Sequence, residues 1–191
     1  MQKAELRKIY LEKRKALSHD EASFLSEKIF QNFIHFFKPL TGQKVHVFIP
    51  IKKFKEVDTH LFINYFWTHG IRVFVPKIVN ERLISVEIFK DSEFETHSWG
   101  ISEPVSNEDS GEIYFDYIIT PLLYCDNKGN RIGYGKGFYD NFFQCISSDS
   151  VKVGVNYFNP RETIDNVWEN DISLDYLATS TDVLSFLGGK E

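Results

Sequence analysis

The sequence predicts an α/β protein whose parallel or mostly parallel central sheet is covered by helices on both faces. Three observations carry that expectation. Short apolar runs rich in β-branched and aromatic residues alternate with helical stripes, the runs stop at Pro or Gly, and 42% of the 191 residues are apolar. A chain of this length buries roughly 70% of the surface its unfolded form exposes. One domain over residues 1–191 is therefore expected, with no disulfide or structural metal needed to complete its core.

Residues 2–17, QKAELRKIYLEKRKAL, set Leu6, Ile9, Tyr10, Lys13 and Leu17 three and four apart, the stripe of an amphipathic helix. Its other faces carry Lys3, Arg7, Lys8, Arg14 and Lys15. The run Ser18, His19, Asp20, Glu21 reads as a capping box for a second helix through Phe24, Leu25, Ile29, Phe33 and Phe36 or Phe37, ending near Lys38 and Pro39. VHVFIP (45–50), bounded by Gly42 and Pro50, is a strand. Asp58 or Thr59 can cap a helix running to His69, with Gly70 at the C′ position. Strands follow at 71–76, at 83–89 and at 116–120, the last stopping at Pro121. Residues 121–137 form a Gly-rich loop, 138–146 a helix, 151–155 a strand and 175–179 a last short strand. The most loop-like stretch is 99–111. The sheet should hold about five to seven strands.

Twenty-seven acidic against 22 basic residues give a formal charge of −5, which argues against duplex DNA or an anionic membrane as the main partner. Cys125 and Cys145 form no CxxC pair, so free thiols in a reducing compartment are expected, and no zinc framework is visible. The first 17 residues are studded with charge and no stretch approaches 18 apolar residues, so a cytoplasmic, untranslocated protein is expected. There is no GxSxG elbow and no HExxH, and the six histidines lack ligand spacing. Triad hydrolysis and zinc chemistry are disfavoured.

The segment Gly129, Asn130, Arg131, Ile132, Gly133, Tyr134, Gly135, Lys136, Gly137, Phe138, Tyr139, Asp140 follows a buried-type strand and leads into a helix. Such a crevice is where α/β sheets bind ligands. Glycines at 133, 135 and 137 let the backbone approach an anion, so that amides and the helix N-terminus face phosphate oxygens, with Lys136 and Arg131 adding charge. The bland alternative is a tight loop whose glycines serve turn geometry only. It is neither a P-loop, because Asn130 and Gly137 stand where Gly and Ser or Thr belong, nor GxGxxG, because position 138 is Phe. Asp140 and Asp171 are two separated carboxylates of the kind Mg²⁺ takes before water and phosphate complete its octahedron, although Asp171 alone reads more readily as an N-cap or turn aspartate. Lys3 and Arg7 share one helix face and reach one polyanion, or form a solvated basic face. Glu56 sits where a carboxylate could accept ring N–H bonds, or is a surface residue.

Taken in order, Lys3 to Arg7, Glu56 to Thr59, Trp99 to Pro104, the run from Asp116 to Pro121, the loop GNRIGYGKGFYD and Glu169 to Asp171 resemble the motifs of the 5-formyltetrahydrofolate cyclo-ligase (methenyltetrahydrofolate synthetase) family over nearly the whole chain. The resemblance implies a three-layer fold related to ribose-phosphate isomerase-like proteins. It implies ATP- and Mg²⁺-dependent cyclisation of 5-formyltetrahydrofolate to 5,10-methenyltetrahydrofolate with release of ADP and phosphate, through phosphorylation of the formyl oxygen. Carried onto this chain, Lys3, Ala4, Glu5, Leu6 and Arg7 would bind ATP together with Arg131, Ile132, Gly133, Tyr134, Gly135, Lys136, Gly137, Phe138 and Tyr139. Lys136 and Arg131 would act on the transferring group, and Asp140 and Asp171 would hold Mg²⁺. Glu56, Trp99, Ile49 or Ile51, and the stretch 134–138 would contact the folate, while Lys52, Lys53 and Lys55 are candidates for a polyglutamate tail. Tyr124 and Cys125 depart from the family pattern and would reshape the pocket wall, and Tyr134, where the family often has Arg, would trade a charge contact for stacking. A monomer acting on small molecules, with neither nucleic acid nor membrane as partner, is expected. Two rivals are a non-catalytic folate- or nucleotide-binding regulator, against which Lys136, Asp140 and Asp171 weigh, and an RNA-binding protein using the basic first helix, against which the acidic total weighs.

Overall fold

The structure, a computed structural model, describes residues 1–96 and 100–189. Helices α1 (Lys3–Ala16) and α2 (His19–Phe37) precede β1 (Lys44–Val47), and α3 (His60–Thr68) leads into β2 (Arg72–Val79) and β3 (Arg82–Ile88). After β4 (Phe94–Thr96) and β5 (Ser102–Pro104), strand β6 (Tyr117–Pro121) enters a small hairpin of β7 (Tyr124–Cys125) and β8 (Arg131–Ile132). Helix α4 (Phe138–Cys145), β9 (Val151–Val155), β10 (Tyr176–Ala178) and β11 (Val183–Ser185) complete the order. Among the described residues no helix is long and apolar enough to cross a membrane.

Seven strands form the central sheet in the order β11-β10-β9-β6-β1-β2-β3. All pairs are parallel except β2 with β3 and β10 with β11 at the two edges. Because side chains alternate across a sheet, Val45 and Val47 of β1, with Val73, Val75, Ile119, Val153 and Val155, pack on one face against Ile29 and Phe33 of α2 and Phe62 and Phe66 of α3. Phe74 and Ile118 point to the other face and meet Phe142 and Phe143 of α4. The result is the expected three-layer, mostly parallel arrangement.

The capping box forms as read: the Ser18 hydroxyl accepts from Glu21 N while the Glu21 carboxylate accepts from Ser18 N. At α3 it is Asp58, not Thr59, that supplies the capping oxygen, to His60 N at 3.1 Å. Thr59 instead donates to the Phe48 carbonyl at 2.5 Å, and β1 stops three residues before the end of the apolar run. Strands absent from the sequence reading are β4, its partner β5 inside the stretch taken as loop, the β7/β8 hairpin inside the Gly-rich segment, and β11. Strands of two or three residues are too short for a period of two to register.

His46, at the centre of β1, is fully buried among Phe115, Tyr139 and Phe142, and neither ring nitrogen has a hydrogen-bond partner among the described residues. Burial pushes its pKa down to about 3. A histidine held neutral in the fold but free to protonate at about pH 6.5 once unfolded gives stability that is full above that pH and is lost as pH falls toward 3. Between pH 7 and pH 5 the protein should lose about 2 kcal/mol that His46→Leu does not lose. Urea unfolding at the two pH values measures the difference, and parallel losses would refute the assignment.

Candidate active site

From β1 the chain passes through α3 to β2 on one side, and from β6 it passes through α4 to β9 on the other. The chain thus diverges between β1 and β6, and open α/β sheets bind ligands beyond the carboxyl ends of the strands at such a point. The loop leaving β1 delivers Ile51, Phe54 and Glu56, and the segment leaving β6 delivers the hairpin and the glycine loop.

These two segments meet at Glu56. Its residue is only 8% exposed, and its Oε2 accepts from Ile51 N at 2.8 Å while Oε1 accepts from the Tyr134 hydroxyl at 2.7 Å. Burial pushes the carboxyl above its usual pKa, opposed by those two bonds and by the charge of Arg14. Arg14 is 3% exposed and donates to the Tyr134 hydroxyl at 2.5 Å and to the Leu122 carbonyl at 3.3 Å. Burial and the Glu56 carboxylate push the Tyr134 phenol up, while Arg14 pulls it down. The Phe54 and Tyr134 rings, with centroids 5.3 Å apart, form an aromatic wall beside the carboxylate. Each Glu56 oxygen keeps a second acceptor position for a ring N–H.

The glycine loop is pinned from α1. Arg7 donates from Nε to the Gly133 carbonyl at 3.0 Å, and a Cβ on Gly135 would lie 3.3 Å from its guanidinium. Gly135 and Gly137 have φ values of +88° and +72°, so turn geometry demands glycine there. Gly133 has no positive φ and nothing within 4 Å of the space a Cβ would fill, so turn geometry does not explain it. Lys136 is exposed at the loop's tip, and the structure gives its side chain no ion pair or hydrogen bond among the described residues.

Beside the loop, Asp140 Oδ1 accepts from both terminal nitrogens of Arg131 at 3.0 Å and from Ile172 N at 3.2 Å. The Arg131 guanidinium is buried over the Phe143 ring at 4.9 Å, and burial pulls its pKa down against the opposing charges of Asp140 and Asp171. Asp171 Oδ2 accepts from Lys3 Nζ and from Trp168 N. Asp140 Oδ2 and Asp171 Oδ1 keep no protein partner among the described residues, on segments joined by the Ile172 bond. Two carboxylates with one free oxygen each fit an octahedral Mg²⁺ whose other ligands are water and phosphate.

The remaining expected residues fall around this frame. Ala4 and Glu5 are exposed on the first turn of α1, whereas Leu6 is buried with Ile132 against the hairpin. Phe138 begins α4, and the Tyr139 hydroxyl is buried without a hydrogen-bond partner among the described residues, its phenol pushed up by burial. Ile49 and Ile51 are half-buried, and Ile51 serves Glu56 with its amide. Trp99 lies outside the described residues. Lys55 donates to the carbonyls of Lys15 and Leu17 at the end of α1, which removes it from the candidates for a polyglutamate tail. Tyr124 is a core residue, stacked on Tyr10 at 4.1 Å and bonded to Arg161 N and Glu162 N, and does not line the pocket.

Sequence reading missed Arg14 and Phe54. Arg14 stands four residues after Tyr10 and so continues the buried stripe of Leu6 and Tyr10; its basic neighbours drew it to the charged face. Arg14→Met should cost about 3 kcal/mol of stability, because it strands Glu56 and the Leu122 carbonyl. In a Glu56→Gln background the same change should cost at least about 1 kcal/mol less. A double-mutant cycle by urea unfolding tests this, and strictly additive costs would show that the charges do not sense each other through Tyr134.

Comparison with known proteins identifies the family and the fold. Residues 1–176 match the model of the 5-formyltetrahydrofolate cyclo-ligase family. A 5-formyltetrahydrofolate cyclo-ligase of Mycoplasma pneumoniae is 31% identical over 93% of this chain and 98% of its own. The solved 5,10-methenyltetrahydrofolate synthetase of Aquifex aeolicus superposes with a TM-score of 0.81 at 30% identity, covering 100% of this chain and 96% of that one. The solved synthetase from Mycoplasma pneumoniae gives a TM-score of 0.72 at 25% identity over 94% of this chain and 99% of its own. The chain belongs to the 5-formyltetrahydrofolate cyclo-ligase family.

Proposed function

We propose that this protein converts 5-formyltetrahydrofolate to 5,10-methenyltetrahydrofolate at the expense of ATP, in the cytoplasm and as a monomer. The observation that carries the reading is the junction at the β1/β6 divergence, where Tyr134 of an anion-binding glycine loop is hydrogen-bonded to Glu56, a buried carboxylate suited to a pterin ring. Family membership supplies the reaction class.

In the proposed chemistry the formyl oxygen attacks the γ-phosphorus while the bond to the β,γ-bridging oxygen breaks, so ADP leaves and an imidate-like phosphate forms. N10 then attacks the formyl carbon, the carbon–oxygen bond to phosphate breaks, and the N10 proton is released as the ring closes. Both steps need positioning and charge neutralisation rather than a protein nucleophile. Glu56 accepts ring N–H bonds and fixes the pterin, with Tyr134 and Phe54 along its plane. Amides of the loop from Arg131 to Tyr139, with Lys3 and Arg7, hold the phosphates, and Lys136 neutralises the transferring group. Arg131, paired to Asp140, is a positioning residue. Asp140 and Asp171 would hold Mg²⁺, which when bound neutralises charge on phosphate oxygens.

The deciding experiment follows methenyltetrahydrofolate absorbance after mixing purified protein with 5-formyltetrahydrofolate, Mg²⁺ and ATP. Growth that disappears when ATP or Mg²⁺ is omitted supports the reading; no growth from protein that still binds the folate favours the regulator. Lys136→Ala should lower kcat about 100-fold with folate affinity unchanged, because its charge serves the transition state. Equal kcat values would remove Lys136 from that role. Asp140→Asn should raise the Mg²⁺ concentration for half-maximal rate about tenfold or more. Superimposable Mg²⁺ titrations would show that Asp140 is not a ligand.

A further inference from the structure

The segment from Arg161 to Ile172 wraps the start of α1. Asn166 Oδ1 accepts from Lys3 N at 2.7 Å, capping the helix, and Asp165 N donates to the Met1 carbonyl at 3.1 Å. At its apex a tight turn is closed twice: Asp171 N donates to the Trp168 carbonyl at 3.0 Å, and Trp168 N donates to the Asp171 carboxylate at 2.6 Å. Trp168 is thus anchored at its backbone, yet 69% of its surface faces water, the most of any large apolar residue described. Lys3 Nζ lies over its indole, 5.1 Å from the ring centroid.

Helix α1 relates this indole to the rest of the site. Arg14 holds the Tyr134–Glu56 end, Arg7 holds the glycine loop, and Lys3 holds the Trp168 turn. At about 1.5 Å of rise per residue, Lys3 and Arg14 are about 16 Å apart along the axis, with Arg7 about 6 Å from Lys3. Two aromatic platforms therefore stand at opposite ends of one helix, with the anion loop between them. The Tyr134 end carries the buried Glu56 carboxylate; the Trp168 end carries an open aromatic surface beside the Lys3 ammonium, which is paired to Asp171.

We propose that Trp168 is the stacking platform for the purine base of the nucleoside triphosphate, set by the Asp171 turn so that the phosphates run from Lys3 to the glycine loop. The inference rests on the ATP reading above and adds the base subsite to it. Exposed Glu169 and Asn170 follow the indole in the turn, and the subsite grips the base by the open face of that ring. Stacking is tolerant of base identity, and GTP should therefore bind about as well as ATP.

Calorimetry on the full chain, with ATP, GTP and inorganic tripolyphosphate as separate probes, tests this. Trp168→Ala should weaken ATP and GTP about tenfold and leave tripolyphosphate and 5-formyltetrahydrofolate unchanged, and Trp168→Phe should restore most of the loss. In the parent, ATP should quench tryptophan fluorescence, and Trp168→Phe should remove that quench. Equal weakening of ATP and tripolyphosphate would overturn the proposal in favour of support for Lys3 alone, and unchanged ATP affinity in Trp168→Ala would overturn it outright. Parent protein that binds neither ATP nor GTP would remove the ATP reading itself, and the base subsite with it.

Discussion

The hydrogen bond from Tyr134 to Glu56 is the constraint on which the site depends. It joins two loops that leave the sheet from adjacent strands whose chains then travel apart, so nothing in the sheet itself holds those loops together. A carboxylate this deeply buried is costly unless its oxygens are bonded and a counter-charge is near. Glu56 finds Ile51 N within its own loop and Tyr134 from across the crevice, and Arg14 stands behind Tyr134. The desolvation that raises the Glu56 pKa is thereby converted into a force that draws the glycine loop onto the β1 loop.

Helix α1 supplies the rigid edge against which this closure works. Its apolar side, Leu6 and Tyr10, is buried on the β7/β8 hairpin, and the rings of Tyr10 and Tyr124 stack. Its polar residues then reach three separate parts of the site: Lys3 to Asp171, Arg7 to Gly133 and Arg14 to Tyr134. The hairpin is only two residues per strand, too short to stand alone. Helix and hairpin define each other, and both are fastened to the end of the chain that passes through Tyr124 to Glu162.

This interdependence explains what could be read from the sequence. The capping box at Ser18, the α/β alternation and the glycine loop are local patterns, written within a few residues, and they were legible. The pairing of Glu56 with Tyr134 spans 78 residues and that of Lys3 with Asp171 spans 168, so no local period announces them. Without the family resemblance, Glu56 and Asp171 read as surface and turn residues. Arg14 was hidden for another reason: a helix with basic residues at positions 13, 14 and 15 looks like a solvated face, and only the tertiary fold shows that one of the three is core.

Charge balance shows how a protein of net charge −5 still leaves two cations without a carboxylate partner beside the glycine loop. Lys3, Arg7, Arg14, Arg131 and Lys136 gather with Glu56, Asp140 and Asp171. Lys3 is matched by Asp171, Arg131 by Asp140, and Arg14 by Glu56 through a phenol. Arg7 bonds a carbonyl, Lys136 faces solvent, and neither has a carboxylate among the described residues. The uncompensated charge is therefore confined to the glycine loop, where the field of two cations is least cancelled. Every matched pair also fixes a loop, so the carboxylates that neutralise most of the cations also hold the segments around the glycine loop. Arg7, half-buried and bonded to the Gly133 carbonyl, has its position set by folding, while Lys136 stands exposed at the tip of the loop that Arg7 pins.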